Sequence, residues 1–177
     1  KVDAGIIIAT SAPEILQANP EIGLLGEPIL PVPQGVAFRK QDEDLRERFD
    51  RFMAAILADG THAEMRQRWF EGDPRQVRMP EIPLPAEGPI LRLGTSVFVG
   101  LPYVGMMDGE YVGFDIELAR RFAAREGLRL LMEPLEFSAL IPALTSGKLD
   151  LIASALAITP ERQKQVAFST PYAEVSS

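Results

Sequence analysis

The 177-residue chain has no cysteine, so neither a disulfide framework nor a thiolate-held metal site can be built from it. Its one histidine, His62, leaves no histidine cluster for zinc and no Ser–His–Asp set. No glycine-rich phosphate loop appears. Basic residues are the minority, with Lys+Arg 18 against Asp+Glu 25 and a formal net charge of -7; without a basic block, nucleic acid and anionic membranes are excluded as expected partners. No apolar run is long enough to span a bilayer, and no basic n-region and h-region open the sequence. Because it begins at Lys1 without an initiator Met, the chain is expected to be a piece of a longer protein, with an upstream signal peptide left open. What is abundant is core material: 46% hydrophobic residues suffice for one compact domain or two small ones.

Read in order, Val2 to Ala9 is a β-branched run expected to be a buried strand, and Pro13 to Ala18 a short helix ended by Asn19-Pro20. The prolines of Glu27 to Pro33 point to an extended connector, not a central strand. Gly35 to Arg39 reads as a strand. From Gln41 to Leu57, Leu45, Phe49, Phe52, Met53, Ile56 and Leu57 form the apolar stripe of an amphipathic helix. Asp59-Gly60-Thr61 is expected to stop it, with Thr61 as N-cap and Glu64 completing a capping box for a helix to about Phe70. His62 is expected at the surface of that helix and Trp69 in the core. Five prolines between Gly72 and Pro89 mark a semi-rigid linker. Beyond it come a strand at Leu91 to Val97, a helix to Arg125, a strand at Leu128 to Glu133, a helix at Phe137 to Ser146 and a strand at Leu149 to Leu156, the alternation of a parallel α/β sheet. Asp108, Glu110 and Asp115 read as acids of a solvated turn and helix start.

The stretch Gly147 to Arg162, GKLDLIASALAITPER, organises the rest. Its apolar run fits a strand covered on both faces. Thr159 suits an N-cap, Pro160 the first helical position and Glu161 the first turn. Arg162 falls in that turn, where unpaired backbone N–H groups already favour an anion and a guanidinium can grip a carboxylate bidentately. The competing reading is a solvated Arg162 paired with Glu161 or a neighbour.

GTSVFVGLPY at 94–103, GEYVGFDIELARRFAAREG at 109–127, EFSALIPALTSGKLDLI at 136–152 and ITPERQKQVAFSTPY at 158–172 resemble the first lobe of amino-acid-type periplasmic solute-binding proteins of ABC transporters. Residues 1–70, with GEP leading to GVAFRK and DGT leading to RWF, resemble the C-terminal part of the same family. The resemblance implies a type II periplasmic-binding-protein-like α/β lobe with a parallel-rich sheet and flanking helices, assembled in permuted order. Residues 1–71 would end one solute-binding domain (1–27 the tail of lobe 2, 28–71 the strand and helices completing lobe 1), 72–90 would be the linker, and 91–177 would open a lobe 1. Either tandem modules or a circular permutant would give this order. The stripe at Leu45, Phe49, Phe52 and Ile56 cannot be left in water, so residues 35–70 are expected to pack on 91–177, within the chain or by swapping into a homo-oligomer.

By resemblance, Arg162 holds a ligand α-carboxylate, helped by the preceding segment with Ser154, Ala155 and Ala157. Phe137 would wall the ligand side chain, unless it is ordinary core, and an aromatic after the first strand would cover it. That loop is one residue longer than the family's, so either Phe98 or Tyr103 fills the role. Ala157 stands where the family carries a carboxylate-binding Ser or Thr, and Ile8 stands where it carries an aspartate for the ligand ammonium; an unpaired buried ammonium costs on the order of a few kcal/mol. The implied protein is a non-enzyme without metal or cofactor, binding an amino acid or similar carboxylate outside the cytoplasm, free or membrane-tethered, for an ABC permease. The alternative is the same module as ligand sensor of a membrane-bound signalling protein.

Overall fold

The computed structural model describes Gly23 and residues 31–176; the strand and helix expected before Ala18, and Ile8, lie outside the described residues. The elements are β1 (Pro31–Gln34), β2 (Ala37–Phe38), α1 (Glu43–Ala58), α2 (Thr61–Phe70), β3 (Ile90–Thr95), β4 (Gly105–Met107), β5 (Glu110–Val112), α3 (Phe114–Arg125), β6 (Arg129–Pro134), α4 (Leu140–Thr145), β7 (Leu151–Ile152), α5 (Pro160–Gln163), β8 (Ala167–Phe168) and β9 (Ala173–Ser176).

A five-stranded sheet runs in the order β6-β3-β7-β2-β8. Its first three strands are parallel, in register Leu93↔Met132 and Leu93↔Leu151. β2 then enters antiparallel to both β7 and β8, with Phe38 opposite Leu151 and Ala167. A strand from before the Pro-rich stretch is thus a central member of the sheet formed after it. The fold is mixed α/β with a parallel-rich sheet and helices on its faces, as its alternating sequence implies.

Side-chain alternation divides the core in two. Phe38, Leu91, Leu93 and Leu151 face α1, α2 and α3, while Ala37 and Ile152 face Leu140 and Leu144 of α4. On the first side, Phe49 of α1 lies 5.6 Å from Phe38, 5.6 Å from Phe52 and 4.9 Å from Phe122 of α3. Such tilted and edge contacts add to burial and tie residues 37–70 to the chain beyond 90. Leu57, expected in the stripe, is exposed at the last turn. On the second side the Leu149 side chain, just before β7, lies so close that a Cβ on Gly94 would meet its Cδ1 at 2.3 Å, an approach that suits glycine.

Several local expectations shift. Gly60, left-handed at φ 87°, takes the N-cap position of α2, and Thr61 is its first residue. The Thr61 N–H is satisfied instead by Asp59 Oδ1 at 2.9 Å. His62 is buried, with Nε2 2.7 Å from the Tyr172 carbonyl and its ring edge-on to Phe114; a neutral imidazole that binds a buried carbonyl belongs inside. The Pro-rich stretch contains a 3₁₀ turn at Pro74–Gln76, and Val77, Met79 and Leu84 pack on the core. β1 pairs antiparallel with β9 in a separate two-stranded ribbon, a setting that tolerates its prolines.

Candidate ligand-binding site

The parallel strands deliver three chain segments to the carboxyl end of the sheet. Leu135 N–H binds the Thr95 carbonyl at 2.9 Å, and Ser96 N–H donates to Ser154 Oγ at 3.0 Å. The segment expected to be one strand from Leu149 to Leu156 is in the ladder only at Leu151–Ile152. It leaves because Ala155 adopts φ 47°, a left-handed conformation, and because its N–H is taken by the Asp115 carboxylate, Oδ2 at 2.6 Å. Beyond it the Leu156 carbonyl accepts Gly35 N–H at 3.1 Å and Ile158 N–H reaches the Pro33 carbonyl at 2.8 Å, so the connector before β2 flanks the site.

Thr159 caps α5, its Oγ1 accepting Arg162 N–H at 3.3 Å, with Pro160 at the first position. The helix has four residues, and its side chain at Arg162 turns back: Nη1 donates to the Ala157 carbonyl at 2.8 Å, and Cζ lies 5.5 Å from the centroid of the Phe137 ring. Desolvation lowers the pKa of Arg162 from its ordinary value. A half-buried guanidinium held by one carbonyl and one aromatic face keeps donors for an anion.

The structure thus brings Arg162 against Phe137 and the Ala157 carbonyl, with Ala155 two residues earlier in the same segment. Ser154 is fully buried and its oxygen is engaged by Ser96 N–H. Of the two candidate covering aromatics, Phe98 is 74% exposed in a 3₁₀ turn at Val97–Val99, whereas Tyr103 is 3% exposed in the core, 5.1 Å from Phe70. Burial of Tyr103 raises its hydroxyl pKa.

Asp115, expected in a solvated turn, is fully buried, and desolvation pushes its pKa up to about 7. Oδ1 and the Tyr172 hydroxyl are both buried with no partner from any other group, and the two interact closely enough to perturb each other's protonation. One signal for it was present in the sequence: Asp115 shares the apolar helical face of Leu118, Ala119 and Phe122. Among the described residues no cluster of acids and His could hold a metal ion, and no helix is long and apolar enough to cross a membrane.

Residues 92–177 match the profile of the bacterial extracellular solute-binding proteins, family 3. The arginine-binding extracellular protein ArtP of Bacillus subtilis is 46% identical over 61 residues, 34% of this chain and 24% of that protein. ABC transporter arginine-binding protein 1 of Escherichia coli is 43% identical over 70 residues, 40% of this chain and 29% of that protein. The chain therefore spans under a third of these relatives' length. Among solved structures, an ancestral arginine-binding protein bound to arginine is 42% identical, covering 48% of this chain and 37% of that one with TM-score 0.46. A mutant of the arginine-bound domain 1 from TmArgBP is 37% identical over 49% of this chain and 73% of that one, also with TM-score 0.46. The residues that match this family, 92–177, are those that carry the parallel strands, Phe137 and Arg162.

Proposed function

We propose that this chain carries a binding lobe for an amino acid or similar small carboxylate in an extracytoplasmic protein of an ABC uptake system, and that it performs no catalysis. The observation that carries the reading is Arg162, half-buried over the Phe137 ring beyond the carboxyl ends of the parallel strands, where open α/β sheets gather ligands. The relatives' names, which refer to arginine binding and an ABC transporter, support the ligand class and the permease partner. Arg162 takes the carboxylate, Phe137 stacks on the ligand, and exposed Phe98 covers it. Ala155 and Ala157 contribute backbone only, and Ser154 fixes the segment. The insertion of β2 between β7 and β8 supports residues 28–71 completing the lobe of 91–177 within one chain, in reversed order relative to the family, with 72–90 as linker and 1–27 as the tail of a second lobe.

Calorimetry on the full-length protein with a panel of amino acids and carboxylates tests this. Arg162→Ala is expected to lower affinity about 10- to 100-fold, the worth of a charge-assisted bond to a carboxylate. Undiminished affinity rejects Arg162 as the anchor.

A further inference from the structure

Asp115 stands in the first turn of α3 with its carboxyl wholly inside the protein. The carboxylate accepts the Ala155 N–H at 2.6 Å, 40 residues along the chain. Ala155 is one of only two non-glycine residues with positive φ among those described. Two residues on, the Ala157 carbonyl receives the Arg162 guanidinium at 2.8 Å. A continuous path of two hydrogen bonds and three residues therefore joins a buried acid to the cation of the candidate site.

We propose that Asp115 is a positioning residue for the Arg162 site, holding the Ala155 amide so that the Ala157 carbonyl keeps the guanidinium over Phe137. Its consequence for affinity rests on the binding-lobe reading; the coupling itself does not.

The groups around the carboxyl leave it without a cation. Tyr172, ahead of β9, and Tyr103, ahead of β4, act on it from two sides. On α2, His62 binds the Tyr172 carbonyl and Arg66 acts on Tyr103. On α3, Glu117 is engaged with Arg68, Arg121 and Trp69. Burial raises the Asp115 pKa to about 7, so its charge changes in the neutral range. An ionised carboxylate holds an N–H more strongly than a neutral carboxyl, and the grip on Ala155 weakens on acidification.

The test is NMR on the full chain without ligand, following the Ala155 amide and the Arg162 guanidinium carbon, the latter assigned by its loss in Arg162→Lys. Both signals are expected to move together through one midpoint at about 7, and in Asp115→Asn both lose that titration. His62, whose pKa burial lowers from 6.5, titrates separately at more acidic pH. An Arg162 signal that stays still while Ala155 titrates overturns the proposal, as does a shared titration that survives Asp115→Asn. If Asp115→Asn does not fold, the wild-type titration decides alone. L-Arginine added afterwards as probe separates the two readings: absence of binding counts against the lobe, not against the coupling.

Discussion

Two carboxylates in the first turn of α3, Asp115 and Glu117, are both 0% exposed and are treated in opposite ways. Glu117 is saturated. Arg68 Nη1 reaches its oxygens at 2.8 and 3.0 Å, Arg121 Nε at 2.9 Å and Trp69 Nε1 at 2.7 Å. Arg68 and Trp69 lie before the Pro-rich stretch and Glu117 after it, so the cluster clamps α2 to α3. Asp115 has one backbone N–H and no cation, and the Tyr172 hydroxyl is its side-chain neighbour. A buried charge surrounded by cations fixes structure; one left with an amide and two tyrosines keeps a proton equilibrium within reach. The first arrangement lies among the helices, the second where the chain leaves the sheet for the candidate site.

The largest effect is expected from Glu117→Ala. Removing one partner of a buried ionic cluster costs about 3–5 kcal/mol. The arginine side chains are 26% and 27% exposed, so water recovers part of their solvation and the lower end applies. Chemical denaturation measures it. A loss below about 1 kcal/mol, the worth of a surface pair, would remove the contrast with Asp115.

Asp115 should instead register in the pH dependence. With its folded pKa raised from 3.8 to about 7, the carboxyl binds its proton more tightly in the folded protein. Its contribution to stability is then fully present below about 3.8 and is lost as pH rises through about 7. The nominal magnitude is on the order of 2–4 kcal/mol. Denaturation midpoints recorded across this window should decline in the wild type and flatten in Asp115→Asn. An unchanged slope in that variant would assign the pH dependence elsewhere.

The sequence carried the architecture because periodicity does. The stripe at Phe49, Phe52 and Ile56 faces the core as a 3.6-residue repeat requires, and Thr159-Pro160 starts α5 as capping chemistry requires. The candidate site was legible in its cation: Arg162 meets the ring of Phe137. What escaped depends on contacts between distant segments. No local pattern shows that the Asp115 carboxyl will meet Ala155, that Ala155 will turn left-handed, or that His62 will find the Tyr172 carbonyl. The clamp at Glu117 was half visible, since Arg121 is its i+4 partner, while Arg68 and Trp69 come from across the Pro-rich stretch. Spacing could not separate Tyr103 from Phe98, because what distinguishes them is core packing, which buries Tyr103 against Phe70 and leaves Phe98 exposed.

The smallest effect probes the strain on the Asp115 side. Ala155 is buried at φ 47°, and a side chain there costs roughly 1–2 kcal/mol. Ala155→Gly relieves that cost but adds about 0.5–1 kcal/mol of unfolded-state freedom. The net gain is about 0.5 kcal/mol, a rise of roughly 1–2 °C in Tm for a domain of this size, read by calorimetric melting. The same variant keeps the amide that Asp115 holds, so the NMR positions of the Arg162 guanidinium should not change. A fall in Tm would show that the packing of the Ala155 methyl outweighs the strain. The left-handed turn would then be held by side-chain contacts more than by the carboxylate two residues from the Glu117 clamp.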